Sequence, residues 1–215
     1  MKKKYNNDIE IRSIQTEIRS LEENSRMITG LAIPANTMSG LLYNNIRDYR
    51  FYETITPEAL SDVIERFDVK LYLNHDASQG TYARSKYGKG SLRLFLTERG
   101  LEFETEVPNT VYGDALLEGI RRGDFDAMSF AFAPDVDELR NNGDGTYTRT
   151  IKHIGFLDEC SILSCLPAYS ATDVTCRSLE NFIEEERKAE EERQAKILED
   201  LDAKLKEFEE NAKLG

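Results

Sequence analysis

Only two histidines occur in the 215 residues, His75 and His153, so an imidazole base has few places to sit. His75 stands in Leu73-Asn74-His75-Asp76, and further along come Ala127-Met128-Ser129-Phe130 and Asp158-Glu159-Cys160-Ser161. A serine hydroxyl is a poor nucleophile until a neighbouring base takes its proton, and the imidazole serves best when a third group fixes its tautomer. Together the three segments read as a dispersed histidine, serine and carboxylate hydrolase, with His75 the residue on which the chemistry turns.

Each residue also has a plainer reading. Ser129 shares one strand face with Ala131 and Ala133 while Met128, Phe130 and Phe132 take the other, so it can be no more than a small strand residue. The same alanines leave room for a peptide to approach its hydroxyl. His75, between Asn74 and Asp76 at a strand end, fits a capped turn. Alternation puts Leu157 and Glu159 on one face and Asp158 on the other, and a carboxylate buried there without a partner is costly. A metal site drawn from His75, Asp76, His153 and Glu159 has suitable ligand types but lacks the close spacing of a helix-borne pair.

The elements that must position these residues follow from periodicity. Met27 to Ile33 and Tyr49 to Glu53 have strand character, and Thr56-Pro57-Glu58 starts a helix, with Thr56 as N-cap and Pro57 at the first helical position. Val69 to Asn74 alternates as a strand and delivers His75 at its end. Ser91 to Leu96 and Leu101 to Val107 form a hairpin around Arg99-Gly100. A helix over about 110–122 turns Val111, Leu116, Leu117 and Ile120 inward and ends at Gly123. Strands follow at Ala127 to Ala133, at Ile151 to Ile154 and at Phe156 to Leu163, with a hairpin closing at Asn141 to Gly145. Many short strands with two helices inserted predict a compact, partly closed barrel.

Length and composition allow one ordinary core plus an appendage, and residues 1–25, polar with few apolar anchors, read as a loose arm or a first edge strand. The net charge of −12 opposes binding to a phosphate backbone, so no nucleic acid partner is expected. Cys160, Cys165 and Cys176 are an odd set without CxxC spacing, no signal peptide opens the chain, and no apolar run approaches the roughly 20 residues that span a bilayer. These features predict a soluble chain in a reducing cytoplasm, with no membrane partner and no cofactor or metal. Residues 178–215 form one predicted helix with 13 acidic and 7 basic residues, a net of −6 and half of the total charge. Leu198, Leu201, Leu205 and Phe208 space a narrow seam along it, suited to one partner helix or to a second copy.

The order of motifs resembles the HK97-type phage prohead, or capsid maturation, serine proteases. It runs from Glu53-Thr54-Ile55-Thr56-Pro57-Glu58-Ala59-Leu60 through Asn74-His75-Asp76 and Ser129-Phe130-Ala131-Phe132 to Glu159-Cys160-Ser161, Pro167-Ala168-Tyr169 and Thr172 to Arg177. The resemblance implies an α+β fold related to the herpesvirus assembly proteases: a compact, mostly antiparallel β-barrel wrapped by helices, here with a long charged C-terminal helix. It divides the chain into an arm (1–25), a protease domain (26–177) and an acidic tail (178–215). It implies His75 as general base, Ser129 as nucleophile and Glu159 as the carboxylate that orients the imidazole; His153 and Asp158 remain alternatives for the third role. The implied partners are the major capsid protein and scaffold segments inside an assembling procapsid in the host cytoplasm, with cleavage of the chain itself. A non-enzymatic acidic scaffold protein is the alternative.

Overall fold

Alternation of apolar and polar residues carries most of the first three quarters of the chain into strands, and two long strands near its end organise the rest. The computed structural model describes residues 9–21, 25–44, 48–164 and 177–213. Among these are β1 (Glu10–Gln15), β2 (Ile18–Ser20), β3 (Met27–Pro34), β4 (Leu42–Asn44), β5 (Tyr49–Ile55) and β6 (Asp68–Leu73). Then come β7 (Ala83–Lys86), β8 (Lys89–Gly90), β9 (Leu92–Thr97), β10 (Gly100–Glu106), β11 (Ala127–Asn141) and β12 (Thr146–Leu163). The helices are α1 (Val63–Arg66), α2 (Val111–Arg122) and α3 (Arg177–Lys213).

The strands form two sheets rather than a closed barrel. One runs β1-β11-β12-β6-β7-β8, with β5 also on β12 and β4 on β5; the other runs β2-β3-β10-β9. Most pairings are antiparallel, as expected, but β12 pairs in parallel with two strands. Its 18 residues make this possible: Thr146 to Ile151 align with β5, Glu159 to Ile162 align with β6, and β11 runs antiparallel beside it. The two strands expected at Ile151 to Ile154 and Phe156 to Leu163 are thus one. The core lies against the face of β11 and β12 that carries Met128, Phe130, Phe132, Cys160 and Ile162.

The N-terminal residues are drawn into both sheets. β1 pairs with β11 over Gln15 to Glu10, and β2 pairs with β3. Thr56 does cap a turn that begins with Pro57, but the turn is a 3-10 element, Pro57–Leu60, followed by the single turn of α1. α2 matches its expected limits, with the Thr110 hydroxyl accepting from the Gly113 amide and Gly123 closing it at φ +75°. Leu116, Leu117 and Ile120 face inward, whereas Val111 is 83% exposed, because the first turn overhangs the core. Two compact units divide between Thr175 and Cys176. In the second, α3 spans 37 residues and exposes Leu198 and Leu201. The side chains of Leu205 and Phe208, like Cys165, Cys176, Pro167-Ala168-Tyr169 and Thr172 to Thr175, lie outside the described residues.

Candidate active site

β6 delivers His75 through a left-handed turn. Asn74 and His75 adopt φ of +53° and +60°, a conformation in which asparagine and histidine are enriched among non-glycine residues. Asn74 holds the turn: its amide donates to the Ile162 carbonyl at 2.9 Å, and its Oδ1 accepts from the Ser164 amide at 2.9 Å and hydroxyl at 3.1 Å. The Asp76 amide closes back on the Leu73 carbonyl at 3.0 Å, and its carboxylate caps the following 3-10 turn at the Ser78 amide. Two successive left-handed residues fold the imidazole back onto the sheet, where Nδ1 meets Glu159 Oε1 in a short contact.

Glu159 reaches that position by a β-bulge. β11 and β12 shift register between Ala131 and Phe132, which face Glu159 and Leu157, so Asp158 is the extra residue. A one-residue insertion reverses the facing of all that follows. Leu157 stays in the core, whereas Glu159 and Ser161 leave it for the opposite side, where Ser129 and Ala131 are their strand partners. Strict alternation had put Leu157 and Glu159 together; the bulge separates them. The displaced Asp158 binds Lys70 at 2.7 Å.

Glu159 is 7% exposed, and both of its oxygens are engaged, Oε1 by His75 and Oε2 by the Ser161 hydroxyl at 3.0 Å. A carboxylate so held can keep the Nδ1 proton in place and leave Nε2 as the basic nitrogen. Ser161 was expected only as a neighbour of Glu159. Its place on the shared face follows from the i, i+2 rule, a signal present in the sequence once Glu159 is put on that face. Cys160, on the core side, is inert: burial, with the Glu159 charge beside it, pushes its thiol up to about 12.

Ser129 completes a row of three serines across neighbouring strands, aligned with Ser13 of β1 and Ser161 of β12. It is fully buried, and its hydrogen bonds run to β1: its hydroxyl donates to the Arg12 carbonyl at 2.9 Å and accepts from Ser13 Oγ at 3.2 Å. The structure therefore brings His75 and Glu159 together, sets Ser129 on their face, and turns its hydroxyl toward the N-terminal strand. His153 belongs elsewhere, with Asp135 at 2.5 Å on Nδ1 and Arg66 at 2.9 Å on Nε2. No group of three or more metal-ligating side chains forms among the described residues.

A half-buried histidine on a buried carboxylate, beside a row of hydroxyls, is the equipment of a hydrolase that activates an oxygen nucleophile. The chain belongs to the family of caudovirus prohead serine proteases, which it matches over residues 14–185. Among solved structures it is similar to the capsid assembly protease gp21 of bacteriophage T4, with a TM-score of 0.42 and 12% sequence identity over 73% of this chain and 99% of that one. No curated protein matches it. No helix among the described residues is long and apolar enough to cross a membrane.

Proposed function

We propose that this protein is a serine endopeptidase of phage prohead maturation, with Ser129 as nucleophile, His75 as general base and Glu159 as the group that positions the base. The observation that carries the assignment is the contact of His75 Nδ1 with Glu159 on the sheet face that also bears Ser129. In the working site the Ser129 hydroxyl exchanges the Arg12 carbonyl for the imidazole. Its proton then passes to Nε2, its oxygen bonds the peptide carbonyl carbon, and the proton follows the departing amine; water hydrolyses the ester in a second round.

Membership of the prohead protease family supports substrates among the capsid protein's scaffolding region and the scaffold itself, met inside the procapsid in the infected cell. The chain is also its own substrate, near Arg177 to Glu186, where α3 begins. The exposed Leu198 and Leu201 on α3 dock a helix of capsid, scaffold or a second copy.

Co-expression with the capsid protein of the same phage tests the reading. The wild-type chain shortens the capsid band, and Ser129→Ala leaves it whole. Labelling by a serine-reactive phosphonate separates the enzyme from an acidic scaffold protein, which takes no label; unchanged processing by Ser129→Ala removes Ser129 from the mechanism.

A further inference from the structure

β1 lies against β11 as an extended peptide would on a sheet edge, and it presents one peptide group to Ser129. The Ser129 hydroxyl donates to the Arg12 carbonyl at 2.9 Å, and Ser13, the next residue, is aligned with Ser129. Side chains of a strand alternate, so Glu10 and Arg12 point away from the serine row and into the other side of the sheet. There Arg12 forms a bidentate pair with Glu53, Nε to Oε1 at 2.8 Å and Nη2 to Oε2 at 2.9 Å, with its guanidinium 5.8 Å from the Phe132 ring centre. Glu10 is gripped by Arg149 in the same manner, at 2.7 and 3.0 Å.

Glu53 and Arg149 are buried, at 5% and 1% exposure. Buried ion pairs contribute little net stability compared with apolar residues of the same volume, while one partner left alone is strongly unfavourable. With β1 set aside, Glu53 keeps Arg149 at 2.9 Å and loses its bidentate partner Arg12. Its carboxylate then faces the place where the Arg12 side chain lay. Backbone pairing at a sheet edge supplies affinity, and pockets for alternate side chains supply specificity.

We infer that a substrate binds as an extended strand along β11 with arginine or lysine before the scissile bond, read by Glu53, and with an acidic residue two places earlier, read by Arg149. The inference rests on Ser129 as the nucleophile. It makes Glu53 and Arg149 specificity residues of the site.

The test uses the full chain. Mass spectrometry of the capsid fragments from co-expression locates the cuts, which are expected after Arg or Lys with Asp or Glu two residues before. In parallel, kcat/KM is measured on the peptide Ile-Glu-Ile-Arg-Ser-Ile-Gln-Thr and on its analogue with Met in place of Arg. The arginine peptide is expected to be preferred by about tenfold or more, the ratio that one charge-assisted pair supports. Glu53→Gln is expected to remove the preference. A merely structural Glu53 would lower both rates and leave their ratio unchanged, which overturns the inference. If Glu53→Gln does not fold, the cut sites decide: cuts after acidic or apolar residues overturn the inference while leaving Ser129 in place. Absence of any cleavage dependent on Ser129 removes the nucleophile assignment and this inference with it.

Discussion

The two histidines of this chain are alike on one side of the ring and opposite on the other. Each has a carboxylate at Nδ1, Glu159 for His75 and Asp135 for His153. At His153 the second nitrogen is engaged by the Arg66 guanidinium, which can only donate, so Nε2 is an acceptor already in use. At His75 no hydrogen bond to Nε2 occurs among the described residues, and the face on which the ring lies carries serines. Asp135 is 39% exposed, whereas Glu159 is nearly buried with both oxygens bound. A histidine with a carboxylate is therefore not in itself a base. What stands at the other nitrogen decides.

The largest effects belong to the His75 side. Ser129→Ala and His75→Ala should each lower peptide hydrolysis by about 10⁵-fold or more, because such groups act as a unit. Glu159→Gln should cost about 10³- to 10⁴-fold, since the amide favours the wrong tautomer. All three should retain the circular dichroism of the parent. A Glu159→Gln enzyme within tenfold of the parent would break the comparison, for the carboxylate at His75 would then be as incidental as the one at His153.

The sheet that carries Ser129 and Glu159 also has β1 paired along β11, and β1 is held by charge. Burial opposes ionisation of Glu53, yet the Arg12 and Arg149 guanidiniums outweigh it and hold the carboxyl below the usual carboxylate range. A lowered folded pKa adds stability that is complete above the unfolded value, about 4.3 for a glutamate, and is lost as pH falls through the folded value. Urea melts should accordingly show a loss between neutral pH and about pH 3 that is smaller in Glu53→Gln. Arg149→Ala, which removes the guanidinium shared by Glu10, Glu53 and Asp137, should cost about 3 kcal/mol or more at neutral pH. Equal acid sensitivity of Glu53→Gln and the parent would show that the cluster does not secure the strand.

Much of this arrangement was legible in residue order, and the part that was not has identifiable causes. α2 could be read because its cap, its apolar face and Gly123 are local signals. His75, Ser129 and Glu159 stood out by type and by motif order. The facing of Glu159 could not be read, because the bulge at Asp158 depends on the partner strand and leaves the alternation of Phe156 to Ile162 formally intact. The parallel pairing of β12 with β5 and β6 joins residues far apart in sequence, and no period encodes it. β1 was only half visible: residues 1–25, with few apolar anchors, read equally as a loose arm or a first edge strand, and the place of β1 beside Ser129 follows from the ion cluster and from pairing with β11.

Asn74 offers a finer cut on the same comparison, since His153 lies within a strand and has no turn to aim it. Asn74→Gly keeps the backbone free to adopt φ +53° but removes the acceptor for both Ser164 groups. The expected loss is about 1 kcal/mol of stability, as for one net hydrogen bond. A rate loss of about tenfold should accompany it as the imidazole samples poorer positions. Measured rates equal to the parent's would show that the left-handed turn aims His75 without help from the side chain.

The smallest effects should lie at the other histidine. His153→Ala removes a ring that is 32% exposed, so the lost contacts with Asp135 and Arg66 are screened by water and are worth about 1 kcal/mol or less. Arg66 keeps Asp62 at 2.8 Å, so the substitution leaves its guanidinium paired. Hydrolysis by His153→Ala and Asp135→Asn should stay within about threefold of the parent, below the tenfold that 1.4 kcal/mol in the barrier would produce. A large rate loss in either, with the melting temperature preserved, would move the base or its positioning group to His153 and make the occupied nitrogen, not the open one, the mark of the working histidine.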